Sequence, residues 1–138
     1  MTPNACPLCA PGPETILWRD LVLRVILVND PDYPGFCRVI LNRHVREMTD
    51  LSGDERASLL RAVWAVEAVL RDLLRPDKIN LASLGNQVPH LHWHVIPRFA
   101  DDRHFPDPVW AAPRRPGIPR PVDAVALGRR IAARLESD

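Results

Sequence analysis

The chain has 138 residues, 46% of them hydrophobic and 25% charged. This is the mixture of one globular domain and not of a disordered segment. Its 18 Lys and Arg against 17 Asp and Glu leave a formal charge of +1, too small a basic excess for electrostatic capture of nucleic acid. No apolar run reaches the roughly 20 residues of a membrane span, and residues 1–20 lack the charged and apolar regions of a secretory signal. A cytoplasmic protein with reduced thiols is the expectation, because three cysteines do not complete a disulfide framework.

Proline marks both ends: four fall in residues 3–13 and six in residues 106–121. Both stretches are expected to be irregular, the second as a wrapping arm. Residues 16–28 predict two short strands with a turn near Arg19–Asp20, residues 29–35 a turn-rich loop, and Phe36 to Leu41 a further strand. Ser52 to Arg75 predicts a long helix. It opens on a Ser52/Glu55 capping box, carries Leu59, Leu60, Val63, Val66, Val69, Leu70, Leu73 and Leu74 at helical spacing, and ends at Pro76. Residues 79–83 predict a strand, His90 to Ile96 another that stops at Pro97, and the tail after Pro121 a short helix. Short connections between strands favour an α+β fold: a mainly antiparallel sheet of about five strands, covered by one long helix. The expected division is a domain over 1–105 and a Pro-rich arm with a short helix over 106–138, packed on the same domain.

Three of the five histidines fall in the run His90-Leu91-His92-Trp93-His94. In a strand, alternation puts the three imidazoles on one face, about 6–7 Å apart, with Leu91, Trp93 and Val95 on the other. Two chemistries suit such a row. One is a metal site; the other is nucleophilic and acid–base work near neutral pH. The carboxylate that cupin-like or H-x-H-x-D-H metal sites require is absent from the following residues Val95-Ile96-Pro97-Arg98.

The run His90-Leu91-His92-Trp93-His94-Val95-Ile96 resembles the signature of the histidine-triad (HIT) superfamily of nucleotide hydrolases and transferases. Pro34-Gly35, the strand ending at Leu41, His44, Asp50-Leu51, Asn80, Gly85 and Pro97-Arg98 also match, so the resemblance covers roughly residues 6–98. It implies that His92 attacks the α-phosphorus of a nucleotide to form a nucleotidyl-imidazole that water hydrolyses, while His94 donates to phosphate oxygens. It implies a purine nucleotide or nucleotide conjugate as ligand, with Asn29 near the ribose and Asn80, Asn86 and Gln87 in the binding site, and a homodimer. Gln87 departs from the pattern, standing where many relatives carry a small hydroxyl residue.

Cys6-Pro7-Leu8-Cys9 has metal-knuckle spacing, and His44 and His90 are available as further ligands. The resemblance extends to branches that hold a structural zinc with these four positions, and it implies Cys6, Cys9, His44 and His90 as the ligand set with no catalytic metal. Cys37 reads as a small buried residue. Arg98 is open between phosphate binding and a salt bridge, and Trp110 between stacking on a base and covering apolar surface. Two competing readings remain: a non-catalytic nucleotide-binding or interaction module with the same fold, and a metalloenzyme with all three histidines on one ion.

Overall fold

The computed structural model describes residues 2–137; Met1 and Asp138, the outer limits of the two expected ranges, lie outside it. Five strands form one antiparallel sheet: β1 Thr15–Arg19, β2 Leu23–Leu27, β3 Cys37–Leu41, β4 Lys78–Ala82 and β5 His92–Arg98, in the order β1-β2-β3-β5-β4. Two helices complete the α+β fold, α1 Gly53–Leu74 and α2 Ala124–Ser137. The chain leaves β3, runs through α1 to the edge strand β4, and returns as β5 between β3 and β4.

The helix α1 begins where its first turn is satisfied. The Ser52 side chain accepts from the Glu55 N–H, and the Glu55 carboxylate accepts from the Ser52 N–H, closing a reciprocal cap. Leu59, Val63, Val66, Val69 and Leu70 then bury one stripe of α1 against Val39, Leu41, Leu91 and Val95. Leu73 lies at the end of that stripe and is 38% exposed, because the last turn of α1 faces the junction with α2 and not the sheet. Asp123 caps α2 by accepting from the Val125 and Ala126 N–H groups. Leu127, Ile131 and Leu135 enter the same core. Gly128 lets α2 approach the β1 backbone, since a Cβ there would stand 2.9 Å from the Leu17 carbonyl oxygen.

Both boundaries of the triad strand differ from expectation. The triad strand begins at His92 and not at His90, which sits in the bend before it. The strand also runs through Pro97 to Arg98. Proline is tolerated there because β3 ends its pairing with β5 at Val95, so Pro97 has only β4 beside it.

Both helices cover one face of the sheet. On the other face a small cluster of Tyr33, Phe36 and Ile96 is packed by Val28 and Val109. Behind it Arg98, 2% exposed, meets Asp102 through two hydrogen bonds of 2.7 and 3.0 Å and donates to Asn80 Oδ1 at 2.8 Å. The salt-bridge reading of Arg98 is the one observed. Burial raises the Asp102 carboxyl, but the Arg98 contacts together with the Phe99 and His104 N–H groups outweigh it and hold the group below its ordinary value.

Candidate functional site

Register decides which side chains share the uncovered face. His94 pairs with Arg38 and His92 with Ile40, which in turn pairs with Arg24; directly paired residues of an antiparallel sheet lie on the same face. Arg24 ion-pairs with Glu14 at 2.9 Å and donates to the Leu8 carbonyl at 3.0 Å. These contacts tie the N-terminal segment across the sheet beside His92. Leu8 thereby becomes one wall of a cavity of about 450 Å³, whose other walls include His92, His94, Arg38 and the loop Leu84–Val88. Gly85 gives that loop its turn at φ +77°, a conformation that suits glycine. Trp110, from the proline-rich arm, closes the far side and meets the His94 ring at 5.6 Å.

The rings of His92 and His94 lie 4.9 Å apart, edge to face. His92 Nδ1 is 2.5 Å from the His90 carbonyl oxygen. A carbonyl can only accept, so Nδ1 carries the proton and Nε2 keeps its lone pair. His94 is arranged in the opposite sense. Its Nδ1 is 3.4 Å from Arg38 Nε, which can only donate, so the His94 proton lies on Nε2. Burial, then His92 and Arg38, push the His94 pKa down to about 4. Burial also lowers His92, against the opposing pull of its carbonyl partner. A neutral imidazole with a free nitrogen and a neutral imidazole with an N–H donor therefore stand side by side.

His90 belongs elsewhere. Its Nε2 donates to the Leu41 carbonyl at 2.6 Å, which leaves Nδ1 as an acceptor. That Nδ1 lies 3.4 Å from Cys6 Sγ, 3.4 Å from Cys9 Sγ and 3.1 Å from His44 Nδ1. All four ligand atoms lie within 4.8 Å of one another. Tetrahedral zinc, at about 2.3 Å from sulfur and about 2.0 Å from nitrogen, sets its donors about 3.3–3.8 Å apart, so the four residues fit the ion after small shifts that open the 3.1–3.4 Å pairs and close the widest one. The Leu41 carbonyl also supplies the outer-shell acceptor that a ligating imidazole uses, and the Leu8 N–H donates to Cys6 Sγ at 3.4 Å. Neither His92 nor His94 joins this group among the described residues.

The other expected site residues divide. Asn86 and Gln87 line the cavity with His92 and His94. Asn29 does not: it is exposed and lies at a separate surface depression with Pro31 and Gly35. Asn80 shares its face with His94, but its carbonyl oxygen is taken by Arg98. Arg38 and Leu8 went unnoticed in the sequence. Arg38 had a signal, as the charged residue of an otherwise apolar strand. Leu8 had none, because its place depends on the Cys6–Cys9 corner.

The HIT domain family profile matches residues 12–101. The AP-4-A phosphorylase of Mycobacterium tuberculosis is 29% identical over 65% of this chain and 49% of its own length. The asymmetrical bis(5'-nucleosyl)-tetraphosphatase of Schizosaccharomyces pombe is 31% identical over 73% of this chain and 58% of its own. The chain thus spans about half the length of these curated relatives. A histidine triad protein from Marinobacter aquaeolei superposes with a TM-score of 0.70 at 29% identity, over 94% of this chain and 93% of that one. The chain belongs to the HIT domain family.

Proposed function

We propose that the chain is a nucleotide hydrolase or transferase acting at the α-phosphorus of a purine nucleoside phosphate, of the dinucleoside polyphosphate or phosphoramidate type. The observation that carries this reading is the His92 hydrogen bond to the His90 carbonyl, which fixes the tautomer and leaves Nε2 as the free nucleophile in the cavity. Attack forms an Nε2–phosphorus bond while the bond from phosphorus to the leaving group breaks and its electron pair departs with that group. The Nδ1 proton stays on the imidazolium, held by the carbonyl. Water then cleaves the nitrogen–phosphorus bond and releases the nucleoside monophosphate. His94 Nε2–H, with the Asn86 and Gln87 amides, supplies donors for the phosphate oxygens. The names of the curated relatives support the substrate class.

In this reading Cys6, Cys9, His44 and His90 hold a structural zinc, which would fix the N-terminal corner and with it Leu8. Four protein ligands leave the ion no open position for substrate. The protein works as a homodimer, an assignment resting on the family resemblance, and in the cytoplasm, an assignment resting on its three cysteines and their reduced thiols. The domain proper spans 1–105, with 106–138 as an arm packed on it.

The test is a rapid quench with adenosine phosphoramidate or diadenosine tetraphosphate, followed by intact-mass measurement. The expected result is an adenylylated chain, absent in the His92→Asn variant. Nucleotide binding with neither adduct nor turnover would favour the non-catalytic module, for which Gln87 in the cavity wall and the short loop from Asn80 to His90 are the suggestive features.

A further inference from the structure

Beyond fixing the His94 tautomer through Nε, Arg38 has no role in the chemistry described so far, yet it is half-buried in the wall of the reactive cavity. It comes from β3, directly opposite His94. Its Nε–H is spent on His94 Nδ1, and its guanidinium lies 5.4 Å from the Phe36 ring centroid. Both partners are uncharged. Among the described residues no carboxylate comes within ion-pair distance of it: Glu14 is taken by Arg24, and Asp32 by Arg103. Asp30 lies near, but one of its oxygens accepts from the Asp32 N–H. A guanidinium cannot shed its charge in a protein, and partial burial with only the more distant attraction of Asp30 and Glu14 leaves that charge incompletely compensated. Four of its five N–H donors remain for something that enters.

The surroundings narrow what that is. Arg38 and Trp110 line both the His92/His94 cavity and a second one of about 330 Å³, on the side of Tyr33 and Phe36, whose wall sets Arg103 as well as Asp30 and Asp32 around Arg38. A ligand lying against His92 and extending past Trp110 passes Arg38 midway. The planar fork of arginine matches the paired oxygens of a phosphate.

Building on the proposed chemistry, we propose that Arg38 is a specificity-determining residue, the counter-charge for a phosphate chain continuing beyond the phosphorus that His92 attacks. The protein would therefore select polyphosphate substrates over those with a single phosphate.

The test pairs an equilibrium measurement with a kinetic one, using wild type, Arg38→Met and Arg38→Lys, each first shown to unfold at a similar temperature. Calorimetric titration with inorganic tripolyphosphate needs no turnover. The expected result is a binding loss of tenfold or more in Arg38→Met, with partial recovery in Arg38→Lys. In the kinetic arm, Arg38→Met should lower kcat/KM for diadenosine tetraphosphate at least tenfold more than for adenosine phosphoramidate, mainly through KM. Equal losses on the two substrates, or unaltered tripolyphosphate binding, would overturn the proposal. Wild type that binds tripolyphosphate through Arg38 but turns over neither nucleotide would defeat the catalytic reading and leave the role of Arg38 standing. If the Met variant alone fails to fold, the Lys variant decides by the same two readouts.

Discussion

His90 and His92 are two residues apart and carry the same side chain, yet their hydrogen bonds run in opposite senses. His90 donates through Nε2 to the Leu41 carbonyl and offers Nδ1 to two thiols and an imidazole. His92 donates through Nδ1 to the His90 carbonyl and offers Nε2 to an open cavity. A carbonyl chooses the tautomer in each case, and the tautomer suits each ring to the role proposed for it: a ligand in a closed corner, a nucleophile at a mouth. The chain achieves the difference by leaving His90 outside the strand. Had pairing begun at His90, its ring would have stood in the row with the other two. The two sites are also linked, because the His90 carbonyl orients the His92 ring and the corner that holds His90 also holds Leu8 in the cavity wall.

The sharpest way to separate the two imidazoles is to remove one at a time. His92→Asn is expected to lower kcat by about a thousandfold or more, as loss of a covalent nucleophile does. Bound zinc and unfolding temperature should stay at wild-type values. Turnover surviving at wild-type level would remove His92 as nucleophile, and a fall in metal content would show that the link through the His90 carbonyl also runs from His92 back to the metal corner.

The converse change is Cys9→Ser. Metal analysis of protein loaded with zinc should fall from about one ion per chain toward zero, and stability should drop by several kcal/mol because metal binding is coupled to folding. Catalysis should survive in part, since neither His92 nor His94 is touched. The cost should fall on KM through the loosened Leu8 wall. Zinc content unchanged by this substitution would exclude Cys9 from the ligand set.

A smaller effect tests the contrast between His94 and a free histidine. His94 has its pKa pushed down to about 4, first by burial and then by His92 and Arg38, whereas an unfolded chain titrates it near 6.5. Above that value both states are neutral and the group contributes no pH dependence. Between about 6.5 and about 4 the unfolded state takes up a proton that the folded state refuses, so stability falls as pH falls. Denaturant unfolding at pH 7 and pH 5 should show this loss in wild type and a smaller one in His94→Gln. Parallel losses in both proteins would assign the acid sensitivity to other groups.

How much of this was legible in the sequence follows from the range of the interactions involved. The α1 cap, the apolar stripe up to Leu70 and the alternation from His92 onward are local, and they appeared at the expected positions, whereas Leu73 and His90 at the ends of these patterns did not. The Cys6–Cys9 spacing pointed to a metal corner, and the family resemblance supplied His44 and His90 as its further ligands. What escaped depends on register and on distant partners. Arg38 faces His94 only because β3 and β5 are neighbours with that pairing. Leu8 reaches the cavity only through the Arg24 and Glu14 contacts. Pro97 looked like a stop because nothing in its neighbourhood reveals that β3 has already ended beside it.

Asn80 is the finest test of the boundary between site and scaffold, because the family resemblance and the geometry give it different work. The resemblance assigns it to the nucleotide. In the structure its oxygen is already committed to a buried guanidinium, 2.8 Å from Arg98 Nη1. Asn80→Ala would leave one Arg98 donor unsatisfied, and a lost buried acceptor costs about 1–3 kcal/mol. Arg98 retains the bidentate Asp102 pair and the Asp107 carbonyl, so the loss should fall at the lower end of that range. The expected outcome is a slightly lower unfolding midpoint with KM and kcat unchanged for either substrate. A rise in KM at unchanged stability would mean that Asn80 releases Arg98 to meet the ligand, and would move the edge of the active site one strand outward to β4.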